Sequence, residues 1–295
     1  MFIETFIRAG LVPLAAAALV AFALRRGDIS APATWASSVA GGFITAQLGL
    51  KSQAGFTTAI RALVHPSDAS EWLPVFVLLA LGISFLLLNA SPARWRGEFV
   101  LAAAFTIAVP LRLLSLHVGH MQDWSPLEKL AYLSLAAATL GIVWLLLGSG
   151  GESQSSLARA FCVAIVAVGA AIVLSLSGVF VYGQYCGAVA ASLAGTSLSL
   201  FLGATGSAST PRRFILSGFT GAAGVITFSL GSLILLGYFF GDLRAANAAL
   251  LVVALAAAGA PLPRVLLAWP PWLQFLLRTA ACLTPLTFAI ASVLN

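Results

Sequence analysis

The chain has 295 residues and a formal net charge of +6, with 60% of its residues hydrophobic and only 8% charged, and its mean hydropathy is +1.03. This composition excludes an ordinary soluble domain and places the chain in a lipid bilayer. The fifteen basic residues sit mostly singly or in pairs at the ends of apolar runs, so they read as topogenic charge with a weak attraction for anionic headgroups, and nucleic acid is not an expected partner.

Apolar runs follow one another so closely that no spacer is long or polar enough to form a soluble domain, and residues 1–295 are expected to form a single integral membrane domain. Segment one runs from about Thr5 to Leu24. The pair Arg25 and Arg26 follows it rather than preceding it, which is unlike a cleaved signal peptide, so the segment should stay attached. Segment two, Ala31 to Leu50, is uncharged but dilute, with Thr34, Ser37, Ser38, Thr45 and Gln47 among small residues. A cavity-lining helix and a re-entrant hairpin would both look like this, because polar groups survive at depth only when faced by protein or water. From Lys51 to Val64, Phe56, Ile60, Leu63 and Val64 fall on one helical face against Lys51, Thr57 and Arg61, the pattern of a short amphipathic helix lying in the interface.

Asp68 and Glu71 are spaced as a capping box before segment three, Trp72 to Leu88. Segment four, Phe99 to Val118, contains Pro110, which frees the Thr106 carbonyl, and Arg112 just beyond it. Ser125-Pro126-Leu127-Glu128 is a second capping box, with proline at the first helical position of segment five. The Gly/Ser-rich turn from Gly148 to Ser156 leads into segment six, Leu157 to Leu176.

Segment seven, Val179 to Gly203, has no charge over 25 positions and repeats Gly183, Gly187, Ala191, Gly195, Ser199 and Gly203 every four residues. Such a stripe is a groove without side chains that drifts about 40° per step around the helix. Segment eight, Phe214 to Phe240, carries Gly218 and Ala222 on one row and is the expected partner for the groove, the two forming the tightest pair of the bundle. Segment nine follows from about Ala245 to Ala260. Pro261, Pro263 and the Trp269-Pro-Pro-Trp272 cluster then break the chain at an interface before segment ten.

The expected fold is therefore all-α, a polytopic transmembrane bundle of about ten spans, or nine if residues 31–50 are re-entrant. Arg25, Arg26, Arg94, Arg96, Arg159, Arg212, Arg213 and Arg264 then share the cytoplasmic side, against Arg8, Lys51, Arg61, Lys129 and Arg244 outside, and both termini face outward. Cys162, Cys186 and Cys282 each lie within an apolar run without a CxxC, which implies packing residues and no disulfide or thiolate framework.

Few residues carry candidate chemistry. Arg112 lies about 20 Å into a core of about 30 Å, where it either snorkels, bonded to carbonyls such as that of Thr106, or faces a cavity. Arg278, about 9 Å from its boundary, reads as structural. His65, His117 and His120 fall on the same outer side near Asp68, Glu71 and Asp123, and His117, His120 and Asp123 follow one face at i, i+3, i+6. They form either a solvated rim or a metal or proton site. Tyr182, Gln184 and Tyr185 interleave with the glycines of segment seven, as interhelical hydrogen-bonding groups or as the wall of a ligand site. The sequence contains no GxxxxGK[ST], HExxH or GxSxG pattern, and no cofactor is expected.

From Ser177-Gly178 through Gln184, Gly187 and Gly195, and again at Gly237-Tyr238-Phe239-Phe240 followed by Asp242-Leu243, the chain resembles an uncharacterised group of bacterial multi-pass membrane proteins. The likeness covers mainly the last 120 residues and implies a bacterial inner membrane but no activity. In length and span number the chain is also similar to the ten-helix drug/metabolite transporters, although it lacks their internal repeat. Two classes of function follow. One is a transporter- or channel-like protein for a small solute or lipid, with a pathway using Gln47, Arg112 and Gln184. The other is a non-catalytic subunit that scaffolds a complex or a homo-oligomer through the small-residue groove. An outward-facing metal enzyme is a third.

Overall fold

A computed structural model describes residues 2–27, 29–88, 95–115, 124–149, 156–205 and 218–294, which are helical nearly throughout and contain no strand. Helix α1 begins as Phe2–Phe6, widens into a π turn at Ile7–Leu11 and continues as Val12–Arg26. Pro13 accounts for the π turn, since it has no N–H to offer the Ala9 carbonyl; the Val12 N–H instead reaches back five residues to the Ile7 carbonyl. Then follow α2 (Ala31–Lys51), α3 (Phe56–Val64), α4 (Leu73–Leu88, led in by a 3-10 turn at Ala69–Trp72), α5 (Trp95–Ser115), α6 (Pro126–Gly148), α7 (Ser156–Leu176) and α8 (Phe180–Thr205). Helix α9 is composite, with a 3-10 turn (Phe219–Ala222), an α turn (Ala223–Ile226), a π turn (Thr227–Gly231) and a final α stretch (Ser232–Phe240). The chain ends with α10 (Ala245–Gly259), the short α11 (Arg264–Leu267) and α12 (Pro271–Leu294).

Both capping boxes form as their spacing predicts. Glu71 Oε2 accepts from the Asp68 N–H at 3.3 Å, and Glu128 Oε2 accepts from the Ser125 N–H at 2.8 Å while Ser125 Oγ accepts from the Glu128 N–H.

Among the described residues, seven helical stretches are long and apolar enough to cross a membrane, and apolar side chains such as Leu135, Ile142, Phe161 and Val168 point outward from them. This is a multi-pass membrane protein, built as a helical bundle. Seven is fewer than the ten spans expected: small and polar residues dilute α2, α10 has only 15 residues, and α5 adds only the shorter apolar stretch Ala103–Ser115 among the described side chains.

The long helices nevertheless run antiparallel in sequence order. At one end Arg8 of α1 meets the last turn of α2, Lys51 meets Glu71 ahead of α4, Arg112 of α5 meets Trp72, and Trp124 before α6 stacks near Phe239 of α9. Asn247 of α10 bonds to Ser292 of α12 at this same end. At the other end the Ser156 hydroxyl of α7 accepts from the Phe219 N–H of α9 at 3.3 Å, and Gly218 lies against Ala31 and Trp35 of α2. The outer ends of α1 and α12 thus share one end of the bundle. Every described acidic side chain (Glu4, Asp68, Glu71, Glu128 and Asp242) lies at that same end.

The packing departs from expectation at the grooved helix. α8 packs mainly on α7 and α1, and α9 is not its chief neighbour. A Cβ at Gly183 would collide with Ser175 of α7, and one at Gly195 with the Leu14 carbonyl of α1. The drift of the stripe explains this. Twelve residues turn a helix by about 120° beyond whole turns, so one row of small residues serves two neighbours on different sides. Segment eight is not the groove's partner because its own small residues are used elsewhere: Cβ atoms at Gly218 and Gly221 would run into Trp35, Ala31 and Pro32 of α2. α9 is instead the best-buried helix of the bundle, with Phe228 set between Phe105 of α5 at 4.4 Å and Trp144 of α6 at 5.3 Å.

Candidate functional site

Helix α2 is continuous over 21 residues, about 30 Å at 1.5 Å per residue, which removes the re-entrant hairpin. Its hydroxyls are answered locally: Ser38 Oγ donates to the Thr34 carbonyl at 2.6 Å, Thr45 Oγ1 to the Gly41 carbonyl at 2.6 Å and Thr34 Oγ1 to the Ser30 carbonyl at 3.0 Å. Its polarity is therefore no sign of a water-lined path along the whole helix. The exception is Gln47, 2% exposed, whose Nε2 reaches out of α2 to the Ser70 carbonyl at 3.4 Å.

Gln47 opens the most developed polar site. One turn further on, Lys51 Nζ bonds to Glu71 Oε1 at 2.5 Å, in an ion pair whose side chains are 24% and 11% exposed. The other carboxylate oxygen of Glu71 accepts from the Ser67 N–H at 2.7 Å and the Ser67 hydroxyl at 2.9 Å. Glu71 thus caps a helix and holds a lysine from another helix at once. Gln47, Lys51 and Glu71 share a cleft with Ile44, Leu48 and Leu63. Its cavity of about 10 Å³ has room for about one water molecule.

Helix α3 roofs this cleft. Ala59 is its one buried residue, while Phe56, Ile60 and Val64 are 67%, 42% and 62% exposed. The expected amphipathic helix is present, except that Leu63 belongs to the cleft and the free apolar edge is Phe56-Ile60-Val64. Gly55, at φ +111°, makes the joint between α2 and α3, a conformation that other residues avoid.

The structure brings some of the expected residues to this end and leaves others apart. Arg112 lies beside the cleft but on the outer face of α5, with its guanidinium 4.3 Å from the ring centroid of Trp72. It uses an aromatic face, rather than the freed Thr106 carbonyl, to settle its charge. Tyr185 is buried and packs edge-on against Phe43, one turn below Gln47. Tyr182 and Gln184 are half-buried on α8. His65 is exposed in the loop after α3, and His117, His120 and Asp123 lie outside the described residues. Among the described residues no three His, Cys, Asp or Glu side chains gather as a metal site.

The Lys51–Glu71 pair escapes sequence reasoning because its partners are twenty residues apart in two elements, and each has a sufficient local explanation as a flanking charge or a cap. A second group missed in the sequence lies at the opposite end. Arg159, 2% exposed, donates from Nη2 to the Leu147 carbonyl at 2.6 Å and the Gly259 carbonyl at 3.1 Å, closing the C-termini of α6 and α10. Arg278 donates to the Ala260 carbonyl at 2.9 Å, in the structural role expected of it. Both place positive charge where helix dipoles end negatively.

Comparison with family models, with curated proteins and with solved structures found no match.

Proposed function

We propose that the chain is a transporter-like protein of a bacterial inner membrane that takes a small solute or a lipid headgroup into the cleft between α2, α3 and α4. The observation that carries this reading is the half-buried Lys51–Glu71 pair with the buried Gln47, beneath an amphipathic helix whose free edge is apolar. A scaffold has no need of a half-buried ion pair beside a cleft, and an ion pair at the membrane boundary can exchange its partners for those of a charged ligand. The cleft is closed around about one water, so admission of a ligand requires α3 to move on its Gly55 joint. Ten crossings suit this reading, supported by the alternation of the helix ends, with Arg25, Arg26 and Arg159 on the cytoplasmic side and both termini outside.

The test is a thermal-shift screen of the purified protein against charged solutes and lipids, with Lys51→Gln as the paired variant. A ligand that raises Tm in the wild type and not in Lys51→Gln is the expected result. Equal shifts in both proteins would remove the cleft from the reading.

A second reading, a subunit that docks a partner helix on α8, is favoured by one observation. A Cβ at Gly187 would meet no atom within 4 Å, so the stripe is unfilled between its contacts with α7 and α1. Loss of a stoichiometric co-purifying chain in Gly187→Leu would support it, and unchanged composition of the purified particle would count against it.

A further inference from the structure

Arg112 lies beside the cleft but does not line it. It stands on the outward face of α5 in line with Ile107 and Leu111, and all three side chains are exposed. Among the described residues its guanidinium makes no ion pair and no hydrogen bond. What it touches is the ring of Trp72, with the guanidinium carbon 4.3 Å from the centroid. That ring is itself held in place, since it packs on Phe76 at 6.0 Å and Phe76 meets Phe105 of α5 edge-on at 6.3 Å. Glu71, the acid beside Trp72 in sequence, is turned to Lys51 and Ser67. Arg112 is thus a positive charge facing lipid on a fixed aromatic platform, with its fork of N–H donors unused.

We propose that Arg112, stacked on Trp72, binds the phosphate of one anionic phospholipid in the leaflet at this end of the bundle. A guanidinium offers a phosphate two parallel N–H donors, in a planar fork that an ammonium group lacks. Stacking on a fixed ring also restricts the side chain beforehand, so less freedom is lost when the phosphate arrives. The position suits a headgroup. Arg112 is in the last turn of α5 and Trp72 is in the turn that leads into α4, close to the helix ends where tryptophan rings and lipid phosphates share the membrane boundary. Leu111 and Ile107 lie deeper on the same face and give the acyl chains an apolar wall, which a free phosphate ion would not use. A lipid of net negative charge is favoured over a zwitterionic one, whose own ammonium would lie near the guanidinium.

The experiment is native mass spectrometry of the full-length, delipidated protein in detergent, titrated with phosphatidylglycerol and separately with phosphatidylcholine. The wild type should hold one phosphatidylglycerol more tightly than phosphatidylcholine, and Arg112→Gln should weaken that step about tenfold, the scale of a hydrogen bond to a charged group. Arg112→Lys should recover only part of the affinity, because it restores the charge without the fork. Equal binding by the wild type and Arg112→Gln, or no preference for phosphatidylglycerol in the wild type, would overturn the site. Full affinity in Arg112→Lys would overturn the stacked fork as its basis. Because the cleft is itself read as able to take a lipid headgroup, Lys51→Gln separates the two: it should keep the phosphatidylglycerol. Loss in Lys51→Gln with retention in Arg112→Gln would put the lipid in the cleft and refute the proposal. Inorganic phosphate should leave the lipid bound, and its displacement by an equal concentration of phosphate would refute a lipid as the occupant.

Discussion

The two ends of the bundle solve the same problem in opposite ways. At the end that holds the tips of α1 and α12, the Lys51–Glu71 pair is held side chain to side chain and remains within reach of water. At the other end Arg159 and Arg278 are buried to 2% and 4% exposure and are held by the carbonyl oxygens that end α6 and α10. A charge that bonds to main-chain carbonyls is locked to the helices that carry them. A charge that bonds to another side chain can let go when a third group arrives. The difference separates an end built to be rigid from one able to rearrange, and it is why the proposed ligand site sits at the first.

The largest effect should come from the rigid end. Arg159→Ala leaves the Leu147 and Gly259 carbonyls without their donor and removes the tie between α6, α7 and α10. With interhelical hydrogen bonds at roughly 0.6–2 kcal/mol each, a loss of about 1–4 kcal/mol is expected, read as a lower midpoint in denaturant titration of the protein in micelles. A variant as stable as the wild type would mean that the carbonyls find other donors and that this end is no anchor. Next in size is Gly195→Val. The new Cβ falls on the Leu14 carbonyl of α1, so α8 and α1 must separate. Overpacking of this kind costs about 1–3 kcal/mol, and a midpoint equal to that of the wild type would show that α1 is not held by the stripe.

How much of this was legible in the sequence depended on whether a feature is local. The capping boxes at Asp68 and Ser125, the amphipathic run from Phe56 to Val64 and the kinship of small residues on α8 rest on spacings of three and four residues, which one helix suffices to express. The direction of the groove did not follow, because small residues show where a neighbour can approach and not which neighbour does. Gly218 and Gly221 look equally suited to α8 and to α2, and Trp35 and Pro32 decide for α2. The polarity of α2 misled in another way: Ser38 and Thr45 bond to their own helix, so a composition that suggests a wet wall is satisfied in the dry. Within the cleft, Gln47 was visible as a lone amide in a weak span, whereas Lys51 and Glu71 acquired meaning only as a pair.

The smallest effect expected is also the one that tests the labile end most directly. The Lys51–Glu71 pair is partly exposed, and such pairs contribute about 0.2–1 kcal/mol. Glu71→Gln should cost more than Lys51→Gln, because Glu71 also accepts from Ser67 and Asp68, while Lys51 has Glu71 as its ionic partner. A double-mutant cycle separates the two roles: the coupling between positions 51 and 71 isolates the ion pair, and what remains of the Glu71→Gln effect belongs to the cap. Raising the salt concentration should shrink that coupling, since screening acts on exposed charges, and should leave the Arg159→Ala penalty unchanged. If the coupling resists salt as well, the pair is shielded from solvent and held as firmly as the arginines opposite. The contrast between a rigid end and a yielding one would then fail, and the case for α3 as a moving roof would fail with it.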